Sequence, residues 1–61
     1  MVELGNVVKT ANGAIGAVVD WLDHGMRPGI FTIEWDETTF TGDAPPRHWT
    51  RAQSEALTIL S

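Results

Sequence analysis

The chain has 61 residues, of which 43% are hydrophobic and 20% charged, with no cysteine and a formal net charge of −4. So short a chain forms a single domain, residues 1–61, and the absence of cysteine excludes disulfides and thiolate metal sites. Residues 1–43 hold seven acids against two bases, a balance of −5, which repels phosphate and makes a nucleic acid an unfavourable partner.

Composition also argues against metal, catalytic and membrane roles. His24 and His48 do not lie at a metal-ligand spacing, and the sequence pairs neither with a nucleophile, so we expect no metal, no cofactor and no catalytic residue. No apolar run approaches the roughly 18 residues of a membrane helix, and the start of the chain lacks a secretory signal, so we expect a cytoplasmic protein. A core this small usually needs support, which favours a homo-oligomer.

Short β-type apolar runs, broken by turn residues, make up the first part of the chain. Residues 6–10 and 14–22 are two such runs. The Asn-Gly pair at 12–13 between them predicts a tight hairpin turn. Gly16, inside the second run, predicts a bulge or bend, because glycine is otherwise a poor strand residue.

The middle of the chain combines a loop with the clearest strand pattern. Residues 23–29 are loop-like, and the Pro-Gly pair at 28–29 predicts a type II turn. After this loop, Phe31, Ile33 and Trp35 alternate with polar residues. Such alternation predicts a strand with one face in the core and the other in water.

The last third of the chain contains a second long loop and two short strands. Residues 37–46 are loop-like, because two adjacent prolines cannot both lie in a paired central strand. Residues 47–49 and 56–60 predict a fourth and a fifth strand, and Thr50 with Gln53 matches a capping box. The element order predicts an all-β fold, a five-stranded SH3-like barrel with one short helical or 3₁₀ turn before the last strand.

The glycine and valine spacing of the first half resembles the opening of KOW and Tudor-like modules. The residues that carry this resemblance are Gly5, Val7, Val8, Lys9, Gly13, Gly16, Val18, Val19, Phe31, Ile33 and Trp35. The resemblance implies a small barrel and, for a KOW-like module, nucleic-acid binding.

The chain also resembles the type II dihydrofolate reductases, small barrels that assemble as homotetramers around a central pore. Val18, Val19 and Trp21 before the 28–29 turn, and residues 57–60 at the end, carry this likeness. It implies binding of a nicotinamide cofactor and reduction of folate. However, Pro-Arg-His-Trp replaces the family's Val, Gln, Ile and Tyr pore-lining run, and the chain has no tyrosine. The resemblance therefore extends to the barrel and not to the active site.

The three tryptophans have two interpretations. They either fill the small core and its rim or line a groove for an extended or proline-rich peptide. Alternation places Trp35 in the core, whereas Trp49, beside prolines and basic residues, is expected to be exposed. The acidic side chains are either a solvated surface or an attraction for a basic partner.

We therefore expect a small non-enzymatic protein-binding module, and its size is compatible with a phage or another mobile element as the source. A KOW-like nucleic-acid binder and a homo-oligomeric reductase remain alternatives. The expected partner-binding residues are Trp49, Arg47, His48, Trp21, Asp36 and Glu37.

Overall fold

The computed structural model describes residues 2–24 and 27–61, with side chains for all of these except residues 23, 24, 27 and 28. The elements in chain order are β1 (Val7–Lys9), β2 (Ile15–His24), β3 (Arg27–Trp35), a 3₁₀ turn (Glu37–Thr39), β4 (His48–Thr50), α1 (Arg51–Ser54) and β5 (Thr58–Ile59). The strands form one antiparallel sheet in the order β4-β3-β2-β1-β5.

The sheet is curled into a half-barrel, and the predicted all-β fold with a short helix before the last strand is confirmed. Helix α1 packs against β3 and β4. Within residues 2–24 and 27–61, no ladder joins β4 to β5, so the two ends of the sheet are not hydrogen-bonded to each other. The curvature encloses the core without removing the edges of the sheet.

The predicted first hairpin is confirmed. The amide of Thr10 donates to the carbonyl of Ala14 at 2.9 Å, and the amide of Gly13 donates to the carbonyl of Thr10 at 3.0 Å. Gly13 has a φ of 96°, and no non-glycine residue in the described part of the chain has a positive φ. The connection is therefore a three-residue loop in which glycine alone takes the left-handed conformation.

The predicted bulge at Gly16 is wrong. Gly16 stays in regular register opposite Val8 and Trp35, and the shift falls instead between Val18 and Asp20. Val19 is the extra residue. Gly16 is required for a different reason, because a Cβ at this position would lie 2.7 Å from Cε3 of Trp35 and 2.8 Å from a backbone oxygen of β3.

The predicted turn at residues 28–29 is also wrong, because both residues belong to β3. Leu22 lies opposite Ile30, and His24 lies opposite Arg27. Two residues of β3 therefore face a single residue of β2, which is a bulge, and a proline without an amide hydrogen is tolerated there. Residues 25 and 26 of the predicted loop lie outside the described residues.

The core is built on the central strands and on β1. Val8 is fully buried, and Val18, Phe31 and Ile33 are at most 2% exposed. Trp35 is only half-buried, which corrects its predicted place in the core. It packs against the outside of the cluster with Trp21 and Trp49.

Thr32 was expected to face water but is buried, with 8% of its surface exposed. It lies between Asp20 of β2 and His48 of β4. Because β3 has a strand on either side, neighbouring side chains cover even its polar face.

The predicted capping box begins α1. The amide of Gln53 donates to Oγ1 of Thr50 at 3.2 Å, and the amide of Thr50 donates to Oε1 of Gln53 at 3.0 Å. Two amides at the start of the helix are thereby satisfied.

We expect the Gly16→Ala substitution to lower the free energy of unfolding by about 1–3 kcal/mol, because the added methyl group overpacks a site closed partly by backbone. At a strand position with open space, the same change would stabilise the folded protein by about 0.4–1 kcal/mol, because alanine lowers the conformational entropy of the unfolded chain. Urea denaturation followed by tryptophan fluorescence measures the difference. A more stable variant would contradict the close packing.

We expect Thr50→Ala to lower the free energy of unfolding by about 1 kcal/mol, the usual effect of losing an N-cap side chain. Thr58→Ala is the matched control, because Thr58 is exposed and caps no helix. Equal effects of the two substitutions in denaturant titrations would show that the cap contributes nothing.

Candidate functional site

An aromatic row crosses the inner face of three strands. Trp21 lies opposite Phe31, and Phe31 lies opposite Trp49. Residues paired in this way project from the same face of a sheet. The ring centroids of Trp21 and Phe31 are 4.3 Å apart, and those of Trp35 and Trp49 are 6.1 Å apart. The tryptophans therefore cover the core and also reach its rim.

One backbone carbonyl holds two of these indoles. The oxygen of Pro46 accepts from Nε1 of Trp35 at 2.9 Å and also from Nε1 of Trp49. Trp49 is half-buried rather than exposed, which corrects the expectation from the sequence. Its ring can still contact a ligand, but its indole N–H is already bound.

A cleft of about 580 Å³ lies between the tip of the first hairpin and the segment that connects β3 to β4. Its lining combines apolar and polar side chains. The apolar residues are Ala14, Phe40, Pro45, Pro46 and Trp49, and the polar residues are Thr10, Asn12, Thr38, Thr39, Thr41 and Asp43.

Hydrogen bonds fasten one side of the cleft to the other. Oγ1 of Thr39 accepts from the amide of Ile15 at 2.8 Å and donates to the carbonyl of Asp36 at 2.6 Å. The amide of Asp36 donates to the carbonyl of Ile15 at 2.8 Å. The 3₁₀ turn is thereby attached to the start of β2, which fixes the width of the cleft.

Asp36 caps the 3₁₀ turn. Its Oδ1 accepts from Oγ1 of Thr38 at 2.7 Å and from the amide of Thr38 at 3.0 Å. These two hydrogen bonds lower the pKa of the Asp36 carboxyl below its ordinary value of 3.8. The bond from the Thr38 hydroxyl is the larger cause, and the bond from the Thr38 amide is the smaller one. Asp36 therefore holds Thr38, which lines the cleft, and is not itself one of the lining residues.

Three polar side chains of the cleft are available to a ligand. Thr38 and Thr39 bond to the backbone or to Asp36, and Oγ1 of Thr10 accepts from the amide of Ala14 at 3.1 Å. Among the described residues, the remaining polar side chains of the lining have no hydrogen-bond partner. These are Asn12, Thr41 and Asp43.

The predicted partner-binding residues divide between different places. Trp49 lines the cleft. Arg47 and His48 directly precede Trp49 in the sequence, and their side chains are exposed. Glu37 is exposed on the 3₁₀ turn. Trp21 lines a separate groove, where Cζ of Arg51 lies 5.0 Å from the centroid of its ring, a cation–π contact.

Several lining residues were missed from the sequence. The threonine-rich run at 38–41 belongs to the predicted loop, and Asn12 is expected from the sequence only as a turn residue. A run of hydroxyl side chains followed by two prolines was the available signal. It does not show that the run folds back toward the first hairpin, because that contact joins residues more than twenty positions apart, as Thr39 and Ile15 do.

No family model, curated protein or solved structure matches the chain. The functional argument therefore rests on the structure. In the part of the chain that the structure describes, no three metal-ligating side chains come together. No helix among these residues has the length and apolar character needed to cross a membrane. The fold and its site define a small all-β domain with a mixed apolar and polar cleft.

We expect a carboxyl-detected NMR titration to give Asp36 a pKa below 3.8, and Thr38→Val to raise it toward that value by removing the main stabilising donor. The stabilisation from this ionised carboxylate is complete above the ordinary pKa. It is lost as the pH falls through the lower folded pKa. The stability difference between the wild type and Asp36→Ala should therefore shrink in acid. An unchanged pKa in Thr38→Val would contradict this assignment.

Proposed function

We propose that the protein is a small non-enzymatic protein-binding module that holds an extended segment of a partner in the cleft at Trp49. The observation that carries the proposal is the lining itself, where apolar rings stand beside three polar side chains that have no hydrogen-bond partner among the described residues. Binding sites commonly combine an apolar surface with a few polar groups that orient the ligand.

The size of the cleft favours a short segment. Its volume of about 580 Å³ falls inside the range of about 300–1,000 Å³ typical of ligand pockets. Phe40, Pro45 and Trp49 offer apolar contact to one or two side chains. Asn12 and Thr41 can donate to and accept from the backbone of an extended peptide, which supplies affinity with little dependence on sequence.

Pro46 constrains how the ligand is recognised. Modules that bind proline-rich peptides use aromatic-lined grooves. In this cleft the indole N–H groups of Trp35 and Trp49 are already bound to the chain's own Pro46 carbonyl. We therefore expect the ligand to stack on the Trp49 ring and to take its hydrogen bonds from Asn12 and Thr41.

Charge favours a protein over a nucleic acid. Asp43 is the charged residue among those lining the cleft, and no Lys or Arg is found in the described lining. A KOW-like module that bound phosphate would need cations there. The reductase alternative needs a homotetramer, and a tetrameric mass by light scattering would support it. The proposal keeps the cytoplasmic location expected from the sequence.

We expect a peptide selected on the wild type from a phage-displayed random heptapeptide library to bind Thr41→Val about five- to tenfold more weakly, because one net hydrogen bond is lost. Thr58→Val is the control, since Thr58 is exposed on β5 and lies outside the cleft. Isothermal titration measures the affinities, and NMR shifts should centre on Asn12, Thr41 and Trp49. A selected peptide that is insensitive to Thr41→Val would refute the cleft as the site.

We also expect no binding of duplex DNA or RNA at low ionic strength, where electrostatic attraction to phosphate is strongest. Fluorescence anisotropy with a labelled duplex and a labelled single strand measures this. Salt-sensitive binding would favour the KOW-like alternative over the peptide-binding module.

A further inference from the structure

Strand β2 is much longer than its neighbour β1, and this difference exposes an edge. The ladder between them starts at Lys9 and Ile15, and its last hydrogen bonds join Val18 to Gly5 and Asn6, both at 2.9 Å. β2 continues to His24. In the described part of the chain no strand pairs with β2 on this side beyond Val18, so its last six residues form an open edge.

The amide of Trp21 faces this open edge. The amide of Ile33 donates toward β4, to the carbonyl of Arg47 at 2.8 Å. Amide directions alternate along a strand, so the amide of Phe31, two residues before Ile33, also points toward β4. Trp21 lies opposite Phe31, and its amide therefore points away from β3. The Trp21 amide accordingly donates to Oδ1 of Asp20 at 2.9 Å. An aspartate side chain thus occupies a donor that a neighbouring strand would otherwise use.

Apolar side chains border the same edge. Val19 is 46% exposed and Leu22 is 45% exposed, and Leu4, which lines a groove with Trp21, is 62% exposed. The groove has a volume of about 410 Å³ and includes the Trp21 ring. An open edge flanked by exposed apolar residues is the arrangement to which extended segments add as a further strand.

The charge at this edge selects the kind of segment. The acidic residues Glu3 and Asp20 line the groove together with one base, Arg51, whose guanidinium lies over the Trp21 ring, so the acids outnumber the base. A second copy of the chain would bring another Asp20 to the same edge, and like charges placed opposite each other destabilise strand pairing. A segment that carries positive charge complements the edge instead.

We propose that the edge of β2 from Val19 to His24 binds an extended partner segment bearing Lys or Arg, by addition of a strand. A carbonyl of the incoming strand replaces Oδ1 of Asp20 on the Trp21 amide. The released carboxylate then pairs with a cation of the segment. This surface lies apart from the cleft at Trp49 and does not depend on the function proposed for that cleft.

The probes are two acetylated and amidated hexapeptides, one alternating Lys with Val and the other alternating Glu with Val. We expect the Lys peptide to bind, to shift the NMR signals of Val19, Trp21 and Leu22, and to slow hydrogen exchange of the Trp21 amide. The Glu peptide should not bind. Exchange at a single backbone amide distinguishes strand addition from charge attraction alone.

Variants of one carboxylate test the electrostatic part. Asp20→Asn keeps a hydrogen-bond acceptor but removes the charge. We expect it to weaken binding of the Lys peptide about fivefold, the upper end of the effect of one exposed ion pair. Asp20→Lys should reverse the preference between the two peptides. Glu55→Lys makes the same charge change at an exposed residue that lines neither the cleft nor the groove, and should leave the preference unchanged. If Asp20→Lys does not fold, the affinity of Asp20→Asn for the Lys peptide decides whether the carboxylate contributes to binding.

Three outcomes would overturn the proposal. Shifts centred on Asn12 and Thr41, abolished by Thr41→Val, would place the Lys peptide in the cleft. Equal binding of the Lys peptide by the wild type and Asp20→Asn would remove the role of the carboxylate. A concentration-dependent mass in sedimentation, with the Trp21 amide protected in the absence of peptide, would show that a second copy occupies the edge. Failure of the selected heptapeptides at the cleft leaves the Lys peptide experiment unaffected.

Discussion

The bonds from Trp35 and Trp49 to the carbonyl of Pro46 are the interaction on which the site depends. The segment between β3 and β4 contains a 3₁₀ turn and no strand, and it is long enough to take many paths. The two indoles hold its far end against the aromatic row. Thr39 holds its near end against the start of β2 through the amide of Ile15. Between these attachments the segment forms one side of the cleft.

The two surfaces have separate origins in a sheet that curls without closing. In the described residues β4 and β5 are not joined by a ladder, so loops rather than strands complete the domain. At the Trp49 end these loops enclose a cleft with unused polar groups. On the other side, β1 stops where β2 continues, and Asp20 covers the donor that this leaves at Trp21. A small domain thereby presents two surfaces of different chemistry.

Local chemistry explains which parts of the fold were predictable. The hairpin at Gly13 and the capping box of Thr50 and Gln53 depend on residues close together in sequence, and both are confirmed. The errors concern longer-range packing. Gly16 was expected to be a bulge, whereas it is a site where Trp35 approaches the backbone. Pro28 was expected in a turn, but the opposite strand extends far enough to take it into a bulge of the sheet.

The sequence by itself determined the all-β class, the approximate positions of five strands and the helical turn before the last one. These follow from alternation, turn residues and caps, which act over a few residues. The tertiary structure alone decided which tryptophans are covered, which threonines line the cleft and which strand edge stays open. Those properties depend on contacts between distant segments, such as Pro46 with Trp35, and on the unequal lengths of paired strands. Neither is encoded in any short window of residues.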